Sequence, residues 1–152
     1  MSRFVIVYLT MSGNTKRIAD AIAEGAKSQD LKTAVVNFQE ATPKLLRNAE
    51  AVGIGSPTYE HTMHAGMKKF LDGIDTLEGK TGVAFGSYGW SGEAPLHIAE
   101  KMRDLGVNII DPVMRVRYTP DEKEIESCRL LGSDVAVKIK KSRKYQRISY
   151  PQ

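Results

Sequence analysis

The chain has 152 residues, the size of one domain and enough to bury a sizeable core. Its 41% hydrophobic and 26% charged residues are those of a soluble globule, and no apolar run nears the ~18 residues of a membrane span. The one cysteine, Cys128, excludes an internal disulfide and predicts a reducing, cytoplasmic setting.

The net charge of +4 is unevenly spread. The stretch KIKKSRKYQR near the end holds six of the 22 Lys and Arg residues and no acid. The plain reading is a solvated helix end, where cations suit the dipole. An acidic protein partner is the sharper reading, and nucleic acid is not expected, because no recognition motif accompanies the tail.

Strand and helix patterns alternate along the chain. RFVIVYL is β-branched and aromatic, the composition of a strand rather than of a leader peptide, and no small-residue cleavage site follows it. Residues 14–28 place Ile18, Ala19, Ile22, Ala23 and Ala26 at helical spacing. TAVVNF is a second strand, and TPKLLRNAE a short helix with Thr42 as cap and Pro43 in its first position. AVGIGS makes strand three, and Met67, Phe70, Leu71 and Ile74 mark helix three. TGVAFGS is strand four, followed by a helix with Ala94, Ile98, Ala99, Met102 and Leu105 inward.

VNIIDPVMRVRY is an extended segment broken at Asp111–Pro112. A last helix then opens with Thr119 as cap, Pro120 in the first position and Glu122 completing a capping box. It is expected to run to about Lys141, with Ile125, Cys128, Leu131, Val135 and Ile139 inward. This divides the chain into one domain, 1–141, and a basic tail, 142–152. Five strands separated by helices predict an α/β fold, a doubly wound parallel sheet covered on both faces in three layers. In such sheets ligands sit beyond the carboxyl ends of the strands.

The loops after strands one, three and four carry the chemistry. TMSGNT (Thr10, Met11, Ser12, Gly13, Asn14, Thr15) opens a helix, where unpaired amides and the dipole favour an anion. Its hydroxyls and amide add donors, and Gly13 permits the turn. It lacks the lysine of a nucleotide-triphosphate loop and the glycine spacing of a dinucleotide loop, so it reads as a phosphate site of another kind or as a capped helix. The second loop, GSPTYEHTMHAG, offers Ser56, a stiff turn at Pro57, Thr58, the flat ring of Tyr59, and His61. The third, GSYGWSGEA, sets Tyr88 and Trp90 among Gly86, Ser87, Gly89 and Gly92. Large aromatics on a glycine-rich turn call for a partner, either a planar ligand or the core beneath. His64 reads as a solvent-facing or hydrogen-bonded loop residue and His97 as exposed on the polar face of helix four, and no histidine has metal-ligand spacing.

TMSGNT resembles the phosphate loop of the flavodoxin family, which implies flavin mononucleotide (FMN) as cofactor and the strand order 2-1-3-4-5. Family loops usually carry a hydroxyl where this chain has Met11. The second loop is similar to the family's flavin-bordering loop, although residues 57–63 contain no glycine whose peptide could flip. GSPTY followed by FGSYGWSGEA resembles the flavodoxin half of the flavo-diiron, or A-type, flavoproteins, from Arg3 to about Lys140. The diiron domain of those proteins has no counterpart in these residues, so they are not expected to reduce oxygen or nitric oxide by themselves.

The resemblance implies an FMN-binding electron carrier with redox-protein partners, such as an acidic ferredoxin or a reductase, and no catalytic residue of its own. The alternative is an FMN-dependent NAD(P)H or deazaflavin oxidoreductase acting on a quinone or oxygen, a class that often completes its pocket as a homo-oligomer. A phospho-receiver domain shares this topology but needs acids after strand one, where FVIVYLTMSG has none.

Overall fold

The computed structural model describes residues 3–149, with side chains through Ser142. Its elements run β1 (Phe4–Tyr8), α1 (Asn14–Ser28), β2 (Thr33–Asn37), α2 (Pro43–Arg47), β3 (Ala51–Gly55), β4 (Thr58–Tyr59), β5 (Thr62–Met63) and α3 (Ala65–Asp72). Then follow β6 (Thr81–Tyr88), α4 (Ala94–Asp104), β7 (Asn108–Ile109), β8 (Met114–Arg117) and α5 (Glu122–Ser149). No helix among the described residues is long and apolar enough to cross a membrane.

Each residue of β1 is buried, as a central parallel strand demands. It pairs with β2 through Phe4–Thr33 to Tyr8–Asn37, and with β3 through Phe4–Ala51 to Tyr8–Gly55. β3 in turn pairs with β6, and the sheet order is β2-β1-β3-β6-β7 with β8 also on β6. These pairings are all parallel, so the predicted doubly wound architecture holds.

The fifth place in the sheet differs in detail. β7 pairs with β6 at Thr81–Gly82, and β8 pairs with it at Phe85–Tyr88. Asp111–Pro112, a cis peptide, lies between the two short strands. Proline cannot donate to a ladder, so the strand leaves β6 there and rejoins it farther along.

Period-two alternation sorts the core. Phe4, Ile6, Tyr8, Val83 and Phe85 face α1 and α5, while Val5, Val7, Val52, Ile54 and Ala84 face α2, α3 and α4. Glycine decides how closely α1 meets α5. A Cβ on Gly25 would lie 1.8 Å from the Arg129 carbonyl oxygen, and one on Gly132 would lie 1.8 Å from that of Ile22. The two helices therefore touch backbone to backbone.

α2 begins as predicted, with Thr42 Oγ1 accepting the Leu45 N–H at 3.2 Å. α5 begins later than predicted. Asp121 Oδ1 accepts the Glu124 N–H at 2.8 Å, and Glu124 Oε1 accepts the Asp121 N–H at 3.1 Å. This is a capping box two residues beyond the Thr119–Glu122 pair. The helix continues past Lys141 to Ser149, so the segment assigned to a separate tail is helical that far, and its last three residues lie outside the described ones.

Candidate functional site

Because β1, β3 and β6 run in one direction, the loops that leave them gather at a single rim. In the first loop Gly13 stands at φ 91°, a left-handed conformation that glycine takes without strain, and caps α1. Its N–H donates to Thr10 Oγ1 at 3.0 Å. The following first-turn amides have no helical carbonyl to pair with.

The second loop is a hairpin. Its strands β4 and β5 pair antiparallel through Thr58–Met63 and Tyr59–Thr62. Glu60 (φ 47°) and His61 (φ 68°) make the turn, both left-handed, as a two-residue hairpin turn requires. Ser56 Oγ pins its base by donating to the Pro57 carbonyl at 3.0 Å and accepting the His64 N–H at 3.1 Å. His64 Nδ1 accepts the Gly66 N–H at 2.9 Å, capping α3, and its ring meets the edge of Tyr59 with centroids 5.5 Å apart.

Side-chain hydrogen bonds hold the hairpin against the third loop and α4. Thr58 Oγ1 accepts the Ala94 N–H at 3.0 Å, Thr62 Oγ1 lies 3.0 Å from His97 Nδ1, and His61 Nδ1 lies 3.1 Å from Glu93 Oε2. His97 is therefore half-buried and bonded, not free on a polar face. Hydrogen bonding from the Ser91 hydroxyl, and then from His61, holds the Glu93 carboxyl below its ordinary pKa despite some desolvation.

Between these walls lies a cavity of about 290 Å³. Met11, Ser12 and Asn14 line it from the first loop, Pro57, Thr58 and Tyr59 from the second, and Ser87, Tyr88 and Gly89 from the third. A cavity of about 500 Å³ lies behind Tyr59 and shares Met11 and Tyr59 with the first. Thus three loops far apart in sequence meet around one space.

Tyr118 is the lining residue that sequence reasoning missed. The β6–β8 register sets Tyr88 opposite Arg117, and the Tyr118 N–H donates to the Tyr88 carbonyl at 2.7 Å. Its backbone is left-handed, at φ 59°, and the Arg117 guanidinium lies 5.2 Å from its ring centre. Gly89 fits beneath the ring, where a Cβ would stand 3.3 Å from it. Nothing near position 118 signals a ligand, so only the strand pairing reveals it.

Other predicted site residues stand off the cavity. Thr15 is fully buried, and its hydroxyl meets that of Ser87 at 2.8 Å, joining α1 to β6. Ser56 is likewise buried and spent on the hairpin. Gly86 packs where a Cβ would lie 2.0 Å from the Ser56 carbonyl oxygen, and Gly92 packs 3.0 Å from the Tyr88 ring by the same measure. His61 sits at the hairpin tip, and Trp90 is 89% exposed, outside the cavity and off the core. Thr10 and Gly13 support the first loop from behind.

The donor set suits a phosphorylated planar ligand. Helix-start amides with the Ser12 hydroxyl and the Asn14 amide can take an anion, and Tyr59, Tyr88 and Tyr118 supply flat apolar walls. Both volumes fall near the range of small-molecule sites.

Residues 6–132 match the flavodoxin family model. The chain is 32% identical over 149 residues to the putative diflavin flavoprotein A 2 of Thermosynechococcus vestitus, covering 94% of this chain and 26% of that protein. It is 32% identical over 139 residues to the type A flavoprotein fprA of Rhodobacter capsulatus, covering 87% and 32%. This chain thus spans about a third or less of the length of those relatives. A solved flavodoxin from the domain Archaea superposes with a TM-score of 0.86 at 44% identity, covering 90% of this chain and 98% of that one. Uncharged first loop, aromatic walls, sheet order and likeness agree: the chain belongs to the flavodoxin family of FMN-binding electron-transfer proteins.

Proposed function

We propose that this chain works as a low-potential electron carrier and does not turn over a substrate of its own. The observation that carries this reading is the lining of the 290 Å³ cavity, which holds no carboxylate, imidazole, amine or guanidinium among the described residues. FMN supplies the one- and two-electron chemistry when bound. The residues do the rest. Ser12, Asn14 and the first amides of α1 would hold the phosphate, while Pro57, Tyr59, Tyr88 and Tyr118 would border the ring and exclude water. These four side chains carry no charge of their own to offset negative charge gained on reduction, which favours a low potential.

The partner we infer is an acidic redox protein such as a ferredoxin or a reductase. Met11, Tyr59, Trp90 and Tyr118 are exposed around the cavity, and Arg115 and Arg117 lie exposed on the neighbouring strand. An apolar rim beside guanidinium groups suits a transient, salt-sensitive contact. A single free cysteine suits a reducing compartment such as the cytoplasm, and burial pushes the Cys128 thiol up to about 12, which leaves it inert.

An absorption spectrum of purified protein tests the cofactor. The expected result is a flavin spectrum at one FMN per chain, with slow NAD(P)H oxidation and fast, salt-sensitive exchange with an acidic ferredoxin. Colourless protein that takes up no FMN at micromolar concentration overturns the reading. Rapid, saturable NAD(P)H turnover replaces the carrier with the oxidoreductase alternative.

A further inference from the structure

We propose that His61 and Glu93 form a charge clasp that sets how firmly the two walls of the FMN cavity are held together. The proposal rests on the FMN reading above and adds two positioning residues to it, neither of which lines the cavity.

Glu93 occupies the N-cap of α4 but makes no side-chain capping bond there. Its carboxylate turns outward instead, where Oε2 accepts the Ser91 hydroxyl at 2.8 Å and lies 3.1 Å from His61 Nδ1. Ser91 Oγ is also 3.2 Å from His61 Nδ1. Three side chains thus share two hydrogens. With His61 protonated, Nδ1–H and the Ser91 hydroxyl both donate to Glu93. With His61 neutral and Nδ1 bare, the single Ser91 hydrogen can serve Glu93 or His61, and the ion pair is gone. One proton decides whether the hairpin tip is bound to the third loop by charge.

The tip has reason to need that bond. Glu60 and His61 are both left-handed, as the turn requires, without being glycine, and the cost of that conformation weighs against the closed turn. Thr58–Ala94 and Thr62–His97 hold the strands that flank the turn, which leaves His61, through Glu93 and Ser91, to hold the turn itself. Tyr59 and Thr58, which line the cavity, are the strand on one side of that turn. Among the described residues, the other charged group acting on the clasp is His97 on α4, which also favours the Glu93 carboxylate, and Glu60 adjoins His61 in the turn, while Lys68 and Lys101 are engaged by Asp72.

The ion pair exists only when the imidazole is charged, so its contribution is present in acid and absent in base. The FMN phosphate titrates too, so the informative quantity is a ratio of variants at one pH. FMN dissociation constants are measured by fluorescence for wild type, Glu93→Gln, His61→Asn and the double variant, at pH 5.5 and 8.5. Asparagine tolerates the left-handed backbone. Each single variant is expected to bind about two- to fivefold more weakly than wild type at pH 5.5, the worth of an exposed pair, and nearly equally at pH 8.5. The double variant should be no weaker than the singles.

A second readout needs no cofactor. In FMN-free protein at pH 5.5, amide exchange in residues 58–63 should quicken in Glu93→Gln while the central strands are unchanged. Ratios that stay flat with pH, or additive losses in the double variant, overturn the clasp. If all four proteins ignore FMN but the exchange difference remains, the cofactor reading fails and the clasp stands.

Discussion

The crossing of α1 with α5 and the hairpin at the rim use the backbone in opposite ways. At the crossing, Gly25 and Gly132 give up side chains so that two helices can touch, and any added atom collides with a carbonyl. At the hairpin, Glu60 and His61 keep their side chains in a left-handed turn that glycine would adopt freely. The first arrangement is rigid by exclusion. The second spends conformational stability to place charged groups at the edge of a binding cavity, the pattern expected where function outweighs local comfort. Stability should therefore respond to glycine with opposite sign in the two regions.

The largest expected effect is at the crossing. Gly132→Ala must push α5 off α1, and a loss of about 3 kcal/mol in denaturant unfolding is expected; a loss below about 0.5 kcal/mol would show that the contact yields. Thr15→Val comes next, because it strands the buried Ser87 hydroxyl. Unfolding should weaken by about 2 kcal/mol, and FMN binding should weaken with it, since Ser87 lines the cavity. Asp121→Ala removes one half of the capping box on α5 at about 1 kcal/mol, checked by thermal unfolding, whereas Thr119→Ala should change little.

The sharpest contrast is smaller. Glu60→Gly should stabilise the protein, because about 1–2 kcal/mol of left-handed strain is relieved against about 0.4–1 kcal/mol of added unfolded-chain freedom. A destabilised Glu60→Gly protein would mean that the turn carries no strain, and the comparison would break. Asp72, outside both regions, is a control. Hydrogen bonds from Lys68 and then Lys101 hold its carboxyl below the ordinary range. The stabilisation is present above the unfolded carboxylate pKa and fades as pH falls through the lower folded value. Acid unfolding of Asp72→Asn should lack that component and leave FMN binding near neutral pH untouched.

What could be read from sequence follows from how local each signal is. The helix spacing of Ile18 and Ile22 and the Thr42–Pro43 start are decided within a few residues, and they appear as written. The same holds for the apolar run of β6, which extends one residue past its predicted end. The hairpin was hidden because its turn holds neither glycine nor asparagine, the residues that announce such turns. The start of α5 was misplaced because Thr119–Glu122 and Asp121–Glu124 compete on local grounds, and the Tyr118–Tyr88 bond favours the later one by tying residue 118 to the rim. Thr15 and Ser56 carry the right chemistry for ligand contact, yet bury their hydroxyls inside the protein. Their type was informative and their orientation was not. Tyr118 needed the strand register.

β8 has one more consequence. It closes the sheet on its far border, and its side chains alternate, with Met114 and Val116 inward and Arg115 and Arg117 outward. A bare border of unpaired amides invites a stranger's strand to stitch on, and two guanidiniums along four residues discourage that trespass. The margin that frames the cavity is thereby kept from becoming a seam for aggregation, so neutralising both arginines should first show as lost solubility on prolonged storage.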